Sequence, residues 1–192
     1  MLEELITSKT RIKLLLKFFL NCQTTAYLRN LETEFGESSN GIRLELNRFE
    51  DAGLLTSLRD GNKKIYQANS DHPLYKDIHS IILKETGIDR VIEKVIHRLG
   101  NLLSVYLVGD FAHGKDSPVI ELILVGADID TEYLAKKVVQ AEELVGRRVS
   151  YTVFAPDDAE AHLLNLKPSE LLPLWNSEES KVILHQSVSD GS

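Results

Sequence analysis

Apolar residues at 12, 15, 16, 19 and 20 recur at helical spacing and predict a first helix over residues 11–20. The next stretch, TTAYLRNLETEFG, places Leu28, Leu31 and Phe35 on one face and ends at Gly36, a residue suited to a left-handed helix cap. The segment ESSNGIRLELNRFEDAGLL then opens on Ser38, Ser39 and Asn40, all good N-cap types. It carries Ile42, Leu46, Phe49 and Leu54 inward until Gly53 stops the helix. Two helices joined by about four residues form a helix-turn-helix. The pattern then shortens to that of strands: LLTSLRDGNKKIYQAN predicts two short strands around the turn residues Asp60, Gly61 and Asn62.

Past Pro73, apolar residues at 74, 78, 81 and 82 predict a further helix, and IDRVIEKVIHRLGN predicts another after Gly87. No Pro/Ser-rich linker interrupts this stretch, so residues 73–100 read as a helical connector. Strands are predicted over 102–108, 119–125 and 147–154, with a turn and short helix over 109–114 and a longer helix over 131–145. That βαβαβ order with short connections predicts an α/β domain with a small mixed sheet. The expected division is therefore 1–72, a connector at 73–100, a second domain at 101–186 and a disordered tail at 187–192.

Charge supports a division of labour. Residues 1–70 hold 10 Lys/Arg against 9 Asp/Glu, whereas the rest of the chain holds 12 against 20. The net charge of −7 thus belongs to the second part, and the first can still present a basic face to a polyanion. Cys22 is the only cysteine, which excludes an internal disulfide. The six histidines are scattered with no pair at metal-ligand spacing, so no zinc site is expected; no other metal and no cofactor is expected either. No apolar run nears the roughly 18 residues of a membrane span. The N-terminal MLEELITSKTR lacks a signal-type apolar block, so a cytoplasmic protein without membrane contact is expected.

The segments SSNGIRLELNRFEDAGLL (38–55) and RDGNKKIY (59–66) resemble the winged helix-turn-helix of ArsR-type bacterial regulators. The resemblance covers about the first 70 residues and implies binding to double-stranded DNA as a homodimer. With Ile42, Leu46 and Phe49 inward, Ser39, Asn40, Arg43, Asn47 and Arg48 fall along the start and outer face of the second helix. Its N-terminal end would enter the major groove. Arg suits guanine and Asn suits adenine as base readers. Lys63 and Lys64, at the hairpin tip, are placed for phosphates. In such regulators the helix after the wing commonly forms the dimer contact; here Leu74, Ile78, Ile81 and Ile82 would supply it, unless they pack on their own domain. The paired cysteines of ArsR-type metal sensors have no counterpart.

Residues 108–126, VGDFAHGKDSPVIELILVG, resemble the minimal nucleotidyltransferase signature, Gly-Ser-x-Ala-Arg-Gly followed by Ser-Asp-x-Asp on the next strand. Together with PLYKDIHSIILKETGI, AEELVGRRVSYTVFAPDD and LLPLWNSEESKVIL, they make nearly the whole chain similar to bacterial fusions of an ArsR-like winged helix with such a domain. The charges depart from the pattern. Val119 and Glu121 stand where the family grips divalent metal with two aspartates, Asp110 stands for the phosphate-seating serine, His113 for the arginine and Pro118 for the serine before the pair. Gly109, Asp110, His113, Gly114 and Glu121 would be a vestigial nucleotide site that has lost its chemistry. The expectation is a two-domain α+β transcriptional regulator, not an enzyme. Its degenerate second domain would serve oligomerisation or the sensing of an unidentified small-molecule effector. Two other classes stay open: a residual metal-dependent nucleotidyltransferase, and a winged-helix module that binds protein.

Overall fold

The computed structural model of the chain describes residues 2–96 and 99–177, which form an α+β fold in two units. One unit comprises residues 1–86 with 110–116; the other comprises 87–109 with 117–192. Among the described residues there are nine α-helices and two sheets, of three and four strands. No helix there is long and apolar enough to cross a membrane. The expected tail at 187–192, and residues 178–186 before it, lie outside the described residues.

In the first unit a short helix α1 (Leu2–Leu5) precedes α2 (Lys9–Phe19), which starts where the Ser8 hydroxyl accepts from the Arg11 amide. The predicted stripe on α2 is too narrow, because Leu14 and Phe18 are as deeply buried as Phe19 and Leu20, while Ile12 and Leu16 are half-buried. A strand β1 (Thr25–Tyr27) leads into α3 (Leu28–Phe35), which ends on Gly36 at φ +65°. Ser38 caps α4 (Ser39–Asp51) by accepting from Gly41, and Ile42, Leu46 and Phe49 bury its inner face. The hairpin of β2 (Leu55–Asp60) and β3 (Lys63–Ala68) turns at Gly61 and Asn62, with Gly61 at φ +57°. Both β1 and β2 pair antiparallel with β3, giving the order β1-β3-β2. Residues 25–27, predicted as helix, are strand because Thr25, Ala26 and Tyr27 meet Gln67, Tyr66 and Ile65 across the sheet. That partner lies some forty residues away, and tertiary pairing overrides the local pattern.

Helix α5 (Tyr75–Thr86) packs on α2, where the His79 Nδ1 lies 2.8 Å from the Phe19 carbonyl oxygen. The carbonyl can only accept, so this ring nitrogen carries the proton. Helix α6 (Ile88–Val95) instead belongs to the second unit and packs on α8 (Thr131–Val145). The expected connector over 73–100 is therefore not one element, and the chain divides at Gly87. That glycine has φ +79°, and a Cβ on it would come within 2.9 Å of Val145 Cγ1.

The second unit's sheet contains β4 (Asn101–Val108), β5 (Val119–Ala127), β6 (Arg148–Phe154) and β7 (Leu172–Asn176), in the order β6-β5-β4-β7. β4 and β5 are antiparallel, β5 and β6 parallel, β4 and β7 antiparallel. The parallel pair requires a crossover, and α8 supplies it. Asp130 caps that helix by accepting from Tyr133, and Gly146 ends it at φ +67°. Strand β5 is apolar on both faces: Leu122 and Leu124 point one way, while Ile123 and Val125 point the other, toward Ala159 of α9 (Pro156–Leu163). The short helix α7 (Gly109–Ala112) begins the excursion that joins the first unit, where Phe111 and Ala112 are buried.

Candidate nucleic-acid interface

The outer face of α4 and the tip of the hairpin bound a groove of about 610 Å³. Of the residues expected to touch DNA, Arg43, Asn47, Lys63 and Lys64 line it, and Arg43, Asn47 and Lys63 are exposed. Ser39, Asn40 and Arg48 do not line it. Ser39 is half-buried at the first position of α4, one residue past the cap, and Asn40 is exposed beside it. Arg29 and Asn62 complete the polar wall, and Glu32 is the one acid among the lining residues. Arg29 escaped the sequence reading, although its place one residue after inward-facing Leu28 puts an exposed cation on α3 next to the groove.

The basic residues are not equivalent. Lys63 is exposed with its ammonium 4.8 Å from the centre of the Tyr27 ring. Lys64 lies 5.0 Å from the centre of the Tyr66 ring, and its Nζ donates to Glu50 Oε2 at 2.6 Å. The other oxygen of Glu50 accepts from the Ser57 hydroxyl at 2.6 Å, so one carboxylate ties the end of α4 to both strands of the hairpin. Hydrogen bonds from Lys64 and Ser57 hold the Glu50 carboxyl below its usual range, and the hydrogen bond to Glu50 raises the Lys64 pKa.

Arg48 is also committed elsewhere. Its Nη1 donates to Glu45 Oε1 at 3.0 Å, although the side chain is about half exposed. Glu45 is buried on the inner face of α4 and receives Arg11 Nε at 2.8 Å, Arg11 Nη2 at 3.2 Å and the Ser8 hydroxyl at 3.2 Å. Burial pushes the Glu45 carboxyl up, but the Arg11 and Ser8 hydrogen bonds and the Arg11 and Arg48 charges outweigh it, so its pKa falls. This cluster fixes α4 against α2 and holds the groove wall in place.

The residues read as a vestigial nucleotide site are divided between the units. Gly109 and Glu121 belong to the second, where a Cβ on Gly109 would overlap the Glu121 carboxylate. Val119 and Glu121 share a face of β5, so the strand offers one carboxylate where a metal pair needs two. The residues present do not fit that group. Asp110, His113 and Gly114 belong to the first unit. The Asp110 carboxylate lies 3.3 Å from Lys115 Nζ, and His113 is half-buried. Gly114, at φ +67°, is pressed on the backbone of α2: an added Cβ would overlap the Lys17 carbonyl oxygen and lie 2.6 Å from Lys17 Cα. Beside it, Asn21 Nδ2 donates to the Ala112 carbonyl at 3.0 Å.

Neither a family model nor a curated protein matches the chain. Among solved structures, a crystal structure of a toxin-antitoxin with AMP-PNP is similar at 17% identity and a TM-score of 0.36, covering 56% of this chain and 86% of that one. A likeness that slight carries no statement about this chain.

Proposed function

We propose that the chain is a DNA-binding transcriptional regulator, with a winged helix in its first unit and a catalytically degenerate nucleotidyltransferase-like domain in its second. One observation carries this reading. In a chain of net charge −7, Arg29, Arg43, Lys63 and Lys64 gather with Asn47 and Asn62 around one groove that holds a single acid. Cations and amides on a helix beside a hairpin are what phosphate positioning and base-edge contact require. Leu44, on the outer face of α4, is 53% exposed and adds an apolar surface of the type that meets a thymine methyl.

On this reading Arg43 and Asn47 read bases, while Arg29 and Lys63 hold phosphates. The regulator acts in the cytoplasm as a homodimer, because a two-fold site needs two recognition helices about 34–36 Å apart. Ile82 is only 2% exposed and serves its own unit's core, which leaves Leu74 and Ile81, at 53% and 42% exposure, with half-buried Ile78 as the seam. A small-molecule effector would enter a groove of about 400 Å³ in the second unit, between β4, β5 and α9, lined by Tyr106, Val125, Ala159 and Leu163.

Selecting bound fragments from the host genome tests the proposal, with emergence of a palindromic site as the expected result. A second reading, that the first unit binds protein, is favoured by the exposure of Leu58 on edge strand β2, at 75%. Capture of a partner that persists in high salt, without any DNA shift, would select it. Residual nucleotidyl transfer is tested with labelled nucleoside triphosphates and Mg²⁺ or Mn²⁺. The expected result is no transfer, and transfer abolished by Glu121→Gln would overturn it.

A further inference from the structure

The hairpin carries two adjacent lysines, and only Lys64 is already held by a carboxylate. Among the described residues no carboxylate pairs with Lys63, whereas Glu50 holds Lys64 at 2.6 Å. The Glu50 carboxylate is itself fixed, because Ser57 donates to its second oxygen. Both lysines line the groove that also holds Arg43 and Asn47. A phosphate meeting Lys64 must therefore displace an existing ion pair, and a phosphate meeting Lys63 need not. At 39% and 29% exposure the Lys64 and Glu50 side chains are accessible enough for that exchange.

We propose that Glu50 determines specificity: it occupies Lys64 in place of a DNA phosphate and so limits indiscriminate binding. This rests on the DNA-binding reading. Random duplexes gain affinity from each phosphate contact, and each contact adds about 0.9 to the slope of log K against log salt. With Lys64 held by Glu50, the hairpin contributes one such contact through Lys63. Specific binding also uses the base readers on α4, and the same Glu50 bridge keeps the hairpin fixed relative to them. Loss of Glu50 thus acts in opposite directions, raising sequence-independent affinity while loosening the geometry that base reading needs.

The test uses the full chain with the selected duplex and a random duplex, titrated between 50 and 200 mM salt. Glu50→Gln should steepen the salt slope by about 1, an extra salt sensitivity of roughly 3- to 4-fold over that interval. Affinity for random DNA should rise at low salt, and the ratio of specific to random affinity should fall about 3-fold or more. Glu50→Gln/Lys64→Gln should return the slope to that of the unaltered protein. A slope still raised in the double variant would mean only that a repelling charge was lost, and would overturn the proposal, as would an unchanged slope in Glu50→Gln. Should Glu50→Gln fail to fold, single lysine variants decide: Lys63→Gln should lower the slope by about 1 and Lys64→Gln by less than half of that. Equal losses refute the inference. If the unaltered protein binds no duplex at all, the DNA-binding reading fails, and the inference with it; binding with a wild-type slope in Glu50→Gln sinks the inference alone.

Discussion

Gly114 and Gly36 have nearly the same backbone, φ +67° and φ +65°, but opposite surroundings. Nothing lies within 4 Å of a Cβ added to Gly36, whereas one added to Gly114 meets the Lys17 carbonyl oxygen, Cα and carbonyl carbon. Alanine at either position incurs the left-handed penalty, about 1–2 kcal/mol. At Gly114 the clash is with backbone, which cannot rotate away, so an overpacking cost of roughly 1–3 kcal/mol is added. For a unit of roughly 90 residues each kcal/mol shifts Tm by about 4–8 °C, so Gly114→Ala should melt the first unit at least 4 °C, and centrally about 8 °C or more, below Gly36→Ala. Thermal unfolding followed by circular dichroism measures the difference, and faster amide exchange along α2 locates it. Equal losses in the two variants would refute the packing assignment. So would an unaltered melt in Gly114→Ala accompanied by a loss of nucleotide binding, which would return this glycine to a phosphate cradle.

Arg43→Ala should cost about 1–3 kcal/mol on the selected site and relax discrimination at one base pair, while leaving Tm nearly unchanged; a fluorescence-anisotropy titration against specific and random duplexes measures both. Stability should fall as pH drops. Burial pushes the Glu37 carboxyl up, but it accepts from Lys13 and Thr10 and these outweigh burial, so its pKa, like those of Glu45 and Glu50, is lowered from 4.5. The stability the three contribute is complete above that value and is lost as pH falls through their folded pKa values. Denaturant melts at pH 7 and below pH 4 should show the loss, and Glu45→Gln should flatten the dependence; a pH-independent midpoint contradicts the assignment. Leu74→Asp with Ile81→Asp should convert a dimer to a monomer of 21.6 kDa in light scattering. A particle unchanged by these substitutions would rule out the α5 seam.

Where local chemistry ends an element, the sequence was sufficient. Asp130 and Gly146 bracket α8 at the predicted 131–145, and Asp60, Gly61 and Asn62 mark the hairpin turn. Strand β1 was missed because its reason for being a strand lies in β3, and α9 and β7 because 156–176 shows little periodicity. The candidate interface was legible by residue type but not by pairing. The two lysines of the hairpin look alike in the sequence, and what separates them is Glu50, fourteen positions earlier. Arg48 has the right helical phase for an outward base reader, yet Glu45, three residues before it, claims its guanidinium. Arg29 belongs to the groove only because β1 ends where α3 begins, which brings that cation beside the hairpin.

The first unit takes residues 110–116 from far along the chain, and this has a consequence for how the protein is made. A ribosome that has released residues 1–86 has not yet supplied Phe111 and Ala112, both buried in the finished unit. The nascent first unit therefore stays incomplete while α6 and β4 are being synthesised, and closes only after residue 116 has emerged. A fragment cut at Thr86 would be permanently in that unfinished state, with the surface meant for Phe111 open to water. The chain also passes between the units at three places, 86/87, 109/110 and 116/117, and after one protease cut at 86/87 residues 1–86 are held to the rest only by their packing on 110–116.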